Sequence, residues 1–264
     1  MARTAVVTGA TGAIGRAIAT GLAQATDLSV VLACRAPARG QKAAEAIQRQ
    51  SDNSSIRVEQ VDLSVERSVR EFARRLESPV DILVNCAAVA PRQRSTTVEG
   101  LELQFATNVL GYLWMSLHLR DAMRLAPLAR VVNVASYWAG GLDITDLQFE
   151  RRPYDNDTAY RQSKQANRML SAALARLWSE ERISVTCCHP GDVHSTLSHS
   201  LGFGGSETPE QAAQTPLWLA LKTGGLEQSG RYFEHQRAVE CRFSTDREAV
   251  QLLFAKCAGF VSNI

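Results

Sequence analysis

Residues 8–15 read TGATGAIG, set between a short apolar run ending in Val6-Val7 and the helix-favouring stretch RAIATGLAQ at 16–24. A strand, a tight glycine turn and a helix start leave the first N–H groups of the helix without intrahelical acceptors. The helix dipole then makes that end attractive to an anion. Gly9 suits the turn, Gly12 the close approach of a phosphate to the main chain, and Gly15 the packing of helix on strand. Thr11, Ala13 and Ile14 complete the cradle. A small-residue turn of this kind fits any βαβ unit, so its ligand has to be read from the rest of the chain.

Outward from this turn the same alternation continues. Apolar or β-branched runs at 4–8, 28–34, 56–61, 81–87, 130–135 and 183–188, with a shorter seventh at 231–233, alternate with helical stretches near 14–25, 38–50, 65–77, 99–124 and 158–180. That order predicts a Rossmann-type α/β fold: a doubly wound, mostly parallel sheet of about seven strands with helices on both faces. No linker or repeat divides the chain, so residues 1–264 read as a single domain. Two stretches break the rhythm, at 140–157 and 190–208, after the fifth and sixth strands. Ligands of open α/β sheets bind beyond those strand ends, so the loop near 190–208 is the candidate substrate loop.

The composition narrows the function classes. Hydrophobic residues make up 45% and charged residues 21% of the 264, with a net charge of +2. That charge argues against nucleic-acid or membrane-surface binding by bulk electrostatics. Six cysteines form no CxxC pair, which fits a reduced, cytoplasmic compartment. Cys86 reads as a small buried residue rather than a reactive thiol. No apolar run approaches the roughly 20 residues that span a bilayer, so no integral membrane segment is expected.

The end of the second strand names the cofactor. An NAD-binding fold places a carboxylate there for the ribose 2′-hydroxyl. Here the position is Cys34, followed by Arg35, and the next acidic residue is Glu45. A guanidinium binds a 2′-phosphate that a carboxylate repels, and Arg16 and Arg39 add charge nearby. NADP(H) is therefore the expected cofactor.

Tyr160 and Lys164, in TAYRQSKQAN, share one helix face. An ammonium beside a phenol favours phenolate, which would make Tyr160 a general acid for carbonyl reduction or a base for alcohol oxidation. Ser136, ending the fifth strand, can polarise a carbonyl. Asn108 lies in an apolar helical stretch where its amide needs partners, either a structural network or a proton relay.

These elements together resemble the short-chain dehydrogenase/reductase family over nearly the whole chain. The matching pieces are TGATGAIG, VDL (61–63), NCAA (85–88), Asn108, Ser136, YRQSK and HPG (189–191). The resemblance implies Tyr160 as acid/base, Lys164 as its partner and a ribose ligand, Ser136 as carbonyl-orienting group and Asn108 as holder of a relay water. It places Asp62 and Leu63 at the adenine, and Asn85 and Ala87 beside the cofactor on the central strand. Pro190, Gly191, Val193, Ser195 and Thr196 fall where the family binds the nicotinamide amide. GLELQFATNVLGYL, ITDLQFERRPYDNDTAYRQSKQANRML and HPGDVHSTL are similar to the retinol dehydrogenase-like branch, which acts on retinoids, steroids and other lipophilic carbonyls. Family members are commonly dimers or tetramers through the helices near 99–124 and 158–180. A homodimer or homotetramer is thus one expectation, and a longer segment before the tyrosine accompanies monomers.

Substrate contacts are expected from Tyr137 and Trp138 and from a lid carrying His194, Leu197, Leu201 and Phe203. His194 and His199 lack an evident third ligand, so no metal is expected. The glycine spacing itself resembles that of epimerases and dehydratases, and a non-catalytic NADPH-binding sensor is a further alternative. Ser136, Tyr160 and Lys164 together favour an NADP(H)-dependent oxidoreductase acting on a small carbonyl or alcohol.

Overall fold

A computed structural model describes residues 3–25, 27–76, 78–221 and 226–261. Its strands are β1 (Arg3–Thr8), β2 (Leu28–Cys34), β3 (Ile56–Gln60), β4 (Ile82–Asn85), β5 (Ala129–Val134), β6 (Ile183–Cys188), β7 (Tyr232–Glu234) and β8 (Arg237–Val239). They form one sheet in the order β3-β2-β1-β4-β5-β6-β7-β8. Neighbours pair in parallel except β7 and β8, which run antiparallel. The chain winds outward from β1 to β3, then returns to the other side of β1 with β4. That reversal opens a crevice beyond the carboxyl ends of β1 and β4, where TGATGAIG begins.

The period-2 alternation of the strands explains the two-sided core. Val6, Val31, Leu83, Val131 and Val185 face one layer, and Ala5, Val7, Val30, Val84 and Val132 face the other. The first layer holds α3 (Glu66–Arg75), α4 (Gly111–His118), α6 (Asn156–Leu177) and α9 (Arg247–Ala258); the second holds α1 (Ala13–Ala23), α2 (Pro37–Ser51) and α8 (Pro209–Leu221). Short helices α5 (Arg120–Arg124) and α7 (Thr196–Ser200) complete the set.

Two expectations change. The seventh strand sits at 232–234 rather than 231–233 and turns at His235 and Gln236, both with positive φ (47° and 61°), into an eighth. Positive φ at both central residues is the hairpin geometry that matches strand twist. The expected helix over 99–124 is interrupted: Thr96 and Glu102 form a β-bridge, Phe105–Leu110 is a π-helical turn, and α4 and α5 follow. The expected end of the third helix, residue 77, lies outside the described residues.

Part of the surface of α4 and α6 is covered from within the chain. Val250, Leu253 and Cys257 of α9 join the core that contains Met169, Leu170 and Leu174 of α6. The Trp114 indole of α4 donates to the Phe260 carbonyl at 3.1 Å, and Phe260 packs edge-on against Phe105 at 5.7 Å.

Candidate active site

The glycine turn is dictated by packing. Gly9 has φ +72°, and a Cβ there would stand 2.7 Å from the Ala87 Cα. At Gly15 a Cβ would overlap the Gly9 carbonyl oxygen and lie 2.7 Å from its carbon. Gly12 is exposed and donates to the Gly9 carbonyl at 2.9 Å; a Cβ on it would meet only that oxygen, at 3.4 Å. Thus Gly9 and Gly15 are held by contact, while Gly12 presents open main chain beside the first turn formed by Ala13, Ile14 and Gly15. Thr11 is half-buried in the turn. The Thr8 hydroxyl, which the sequence reading did not single out, accepts from the N–H groups of Cys86 (2.9 Å) and Ala87 (3.3 Å) and locks the ends of β1 and β4 together.

Past β2, Arg35, Arg39 and, on α1, Arg16 are all exposed. The Asp62 carboxylate accepts from the Ser64 N–H (2.9 Å) and hydroxyl (2.7 Å), shaping the turn after β3. The neighbouring Leu63 is buried, and its carbonyl would stand 2.7 Å from a Cβ at Gly111. A glycine at 111 therefore sets how closely α4 approaches this loop. Asn85 is fully buried and ties strands together. Its Nδ2 donates to Asn133 Oδ1 at 2.9 Å, and Asn133 in turn donates to the Ser171 hydroxyl at 2.8 Å.

Asp155 accepts from the Thr158 N–H at 2.8 Å and so starts α6, which carries Tyr160 and Lys164 to the end of β5. Ser136 follows β5, and its Oγ accepts from the Trp138 N–H at 3.0 Å. Burial pushes the Tyr160 phenol above its ordinary range, and the neighbouring Ser136 side chain opposes that rise. Lys164 Nζ donates to the Val134 carbonyl at 2.9 Å and lies 5.4 Å from the Tyr160 ring centre and 5.5 Å from that of Tyr112. Burial lowers the ammonium to about 8. The expectation that Lys164 drives Tyr160 toward phenolate is not met in the protein alone. Desolvation dominates both groups, favouring neutral phenol and drawing Lys164 toward the amine. Burial also pushes the Cys86 thiol up to about 12, in keeping with an inert packing residue.

A pH test follows from Lys164. With its value lowered from 10.5 to about 8, the unfolded chain binds more protons than the folded one between those limits. Its contribution to stability therefore rises with pH across that window. Lys164→Met is expected to flatten the rise, as measured by urea unfolding from pH 7.5 to 10; an unchanged slope would exclude a depressed Lys164.

Asn108 sits in the π-helical turn and clamps a loop. Its amide accepts from the Val89 N–H and donates to the Val89 carbonyl, both at 2.9 Å, and reaches Gln104 (3.3 Å) and Ser163 (3.4 Å). Among the described residues no hydrogen bond joins this side chain to Lys164. The structural half of the expectation is what the geometry supplies.

The loop after β6 is organised by Glu207, which the sequence reading passed over. It accepts from the Asp192 N–H, and a Cβ at Gly191 (φ +129°) would overlap its carboxylate. Val193 is buried and bridges to Glu207; Pro190 is half-buried. Ser195 accepts from the Ser198 N–H at 3.1 Å as the cap of α7, so its hydroxyl is engaged in capping, and Thr196 is exposed on the first turn. Tyr137 donates to Asp192 at 2.8 Å and packs edge-on against His189 at 4.5 Å, bringing the loop base beside Ser136. Trp138 turns away from the loop toward α6, where its indole donates to Asp157 at 2.7 Å. His194 and His199 hydrogen-bond to each other at 2.8 Å on the exposed side. Leu197 and Leu201 are half-buried and Phe203 is exposed; none of them, nor His194, contacts Ser136 or Tyr160 through any bond or ring contact among the described residues. Among the described residues no three His, Cys, Asp or Glu side chains cluster as for a metal ion.

A family model for short chain dehydrogenase matches residues 3–202. The chain belongs to the short-chain dehydrogenase family. It is 32% identical to retinol dehydrogenase 13 of Mus musculus, across 98% of this chain and 84% of that protein. This places it in the retinol dehydrogenase-like branch, and the protein is an oxidoreductase. A solved protein of Mycobacterium paratuberculosis matches with a TM-score of 0.81 and 26% identity, covering 97% of this chain and 92% of that one. The Pseudomonas aeruginosa RhlG/NADP active-site complex matches with a TM-score of 0.66 and 26% identity, covering 88% and 93%. No helix among the described residues of this dehydrogenase is long and apolar enough to cross a membrane.

Proposed function

We propose that the protein interconverts a carbonyl and an alcohol by hydride transfer with NADP(H), using Tyr160 as general acid/base. The observation that carries this reading is the buried cluster of Ser136, Tyr160 and Lys164 at the end of β5, with Lys164 on the same helix face as Tyr160 and 5.4 Å from its ring centre. Because Ser136 Oγ accepts from the Trp138 N–H, its own hydrogen remains available to donate to a carbonyl oxygen. Burial keeps the Tyr160 phenol protonated and ready to deliver its proton to that oxygen as the carbonyl is reduced; in oxidation the proton returns. Lys164, tied to Val134, is positioned as the next proton-holding group on the face.

The residues present fit a dinucleotide. Gly12 is exposed, and Gly9 and Gly15 close the turn so that the first N–H groups of α1, from Ala13 on, are left for a pyrophosphate. Ala87 lines the turn, and Arg35, with Arg16 and Arg39, supplies the charge a 2′-phosphate needs. Asp62 and Leu63 would border the adenine, and Pro190, Gly191, Val193 and Thr196 the nicotinamide end. When bound, the nicotinamide supplies or accepts the hydride. Arg35→Ala is expected to weaken NADPH by about 1.5–3 kcal/mol, the worth of a hydrogen bond to a charged group, with NADH little changed. Equal losses for the two cofactors in fluorescence titrations would remove Arg35 from the 2′-phosphate.

The substrate is lipophilic or aromatic in this reading. Tyr137 and the Leu197, Leu201 and Phe203 side of the loop offer apolar surface, and the likeness to retinol dehydrogenase 13 points the same way. Turnover of retinal, steroid ketones or aromatic aldehydes above short aliphatic ketones is the expected result; the reverse order would overturn the substrate class. α9 packs against α6, a homodimer or homotetramer stays part of this reading, and the free cysteines suit a cytoplasmic setting.

A further inference from the structure

Tyr160, Lys164 and Arg168 stand at successive four-residue steps along α6, and each reaches the end of β5. Tyr160 lies beside the Ser136 side chain, Lys164 bonds the Val134 carbonyl, and Arg168 Nη2 donates to the Ser136 carbonyl. The same Nη2 donates to the Tyr232 hydroxyl at 2.6 Å, and the Tyr232 hydroxyl donates to Glu234 at 2.7 Å. The guanidinium carbon lies 3.6 Å above the Tyr232 ring centre, and the residue is only 8% exposed.

A buried cation held this way needs an explanation. Among the described residues no carboxylate forms a salt bridge with Arg168, and its Nε is buried without a hydrogen-bond partner. Burying a guanidinium on neutral partners costs stability that an apolar side chain of similar length would not. The planar fork does supply something an apolar residue lacks: it fixes a main-chain carbonyl from one side while stacking on an aromatic ring from the other. The carbonyl it fixes belongs to the residue whose hydroxyl meets Tyr160.

We propose that Arg168 is a positioning residue for Ser136, a third rung below Tyr160 and Lys164 that ties the Ser136 main chain to Tyr232 on β7. The inference rests on the functional reading of Ser136 and Tyr160 given above. Arg168 touches no reacting atom; it acts through Ser136. Loss of the rung frees the residue that follows β5 to turn, and the Ser136 hydroxyl then drifts from the phenol it orients. The backbone order explains why one arginine suffices: β5 and β7 lie on either side of β6, and the Arg168–Tyr232 contact crosses the end of the intervening strand.

The test uses protein labelled with 13C at the tyrosine ζ carbon, at pH 7. Tyr160→Phe assigns the Tyr160 resonance, and Ser136→Ala gives its position when the Ser136 hydroxyl is removed. Arg168→Met is expected to move the resonance in the direction of Ser136→Ala, Arg168→Lys to restore part of the shift, and Tyr232→Phe, which keeps the ring, to give a smaller shift of the same sign. With any carbonyl that supports turnover, Arg168→Met should lower the rate constant about tenfold or more, as misplacing an orienting group does, while NADPH affinity stays within about twofold. A wild-type resonance in folded Arg168→Met and Tyr232→Phe, alongside a displaced one in Ser136→Ala, overturns the proposal and leaves the functional reading standing. If Ser136→Ala itself leaves Tyr160 unmoved, the Ser136–Tyr160 pairing fails and the positioning role falls with it. Should Arg168→Met not fold, Tyr232→Phe and Arg168→Lys decide the matter alone.

Discussion

Tyr160→Phe is expected to lower carbonyl turnover by about 10²–10⁴-fold, the usual worth of a positioned acid/base, while NADPH affinity stays close to wild type. The ring of Tyr160 is buried, and Phe fills the same volume, so the substitution removes one oxygen and opens no cavity. The lost oxygen is the one beside Ser136 that the proposed chemistry uses to deliver a proton. Stability should change little, because burial penalises the hydroxyl that is removed. Single-turnover kinetics with saturating NADPH separates the two effects. A residual rate within tenfold of wild type, with melting unchanged, would take Tyr160 out of the chemistry.

Gly15→Ala is the second large effect, and it acts on the fold and the cofactor together. The new Cβ would overlap the Gly9 carbonyl oxygen and stand 2.7 Å from its carbon and 3.1 Å from the Ala10 nitrogen. All of these are main-chain atoms, so no side chain can swing aside. The turn has to open or α1 has to lift, and α1 is held by buried Ile18 and Leu22. Overpacking of this kind costs about 1–3 kcal/mol. The Gly12 N–H to Gly9 carbonyl bond is strained in the same movement, so NADPH affinity should fall by more than about tenfold, a loss equivalent to about 1.4 kcal/mol. Gly12→Ala is the contrast. Its Cβ meets only one atom, at 3.4 Å, so melting should hold while NADPH affinity falls through loss of close approach. Equal melting for the two variants, measured without cofactor, would show that the turn is not packed as described.

Much of this architecture was legible because burial leaves a pattern. β1, β2, β5 and β6 are nearly continuous apolar runs, as strands covered on both faces must be. The glycine turn was readable because two of its residues have no room for a side chain. Elements past residue 208 were harder. α8 carries Pro216 inside it, which reads as a breaker. β8 is three exposed residues after a His-Gln turn, with neither an apolar stripe nor the Asn-Gly signal of a hairpin. For α9 a signal was present, since Asp246 caps it through the Ala249 N–H at 3.0 Å.

The site divides in the same way. Ser136, Tyr160 and Lys164 were readable from spacing, but the electrostatics were not: proximity suggested an ammonium acting on a phenol, whereas burial governs both. Ser195 read as a cofactor ligand, and its hydroxyl instead caps a five-residue helix. Nothing in the sequence around Arg168 sets it apart from other charged helix residues. Only the fold shows that this face turns inward, onto Tyr232 and the Ser136 carbonyl.

The most direct test of the central claim is the transfer of deuterium from C4-deuterated NADPH to product alcohol by the purified protein. The substrates are retinal, a steroid ketone and an aromatic aldehyde, with deuterated NADH in parallel. The account expects label in the alcohol carbon with at least one lipophilic carbonyl, faster with NADPH, and none with Tyr160→Phe. Saturable NADPH binding with no label transferred to any of these carbonyls would contradict it and favour a cofactor-binding sensor.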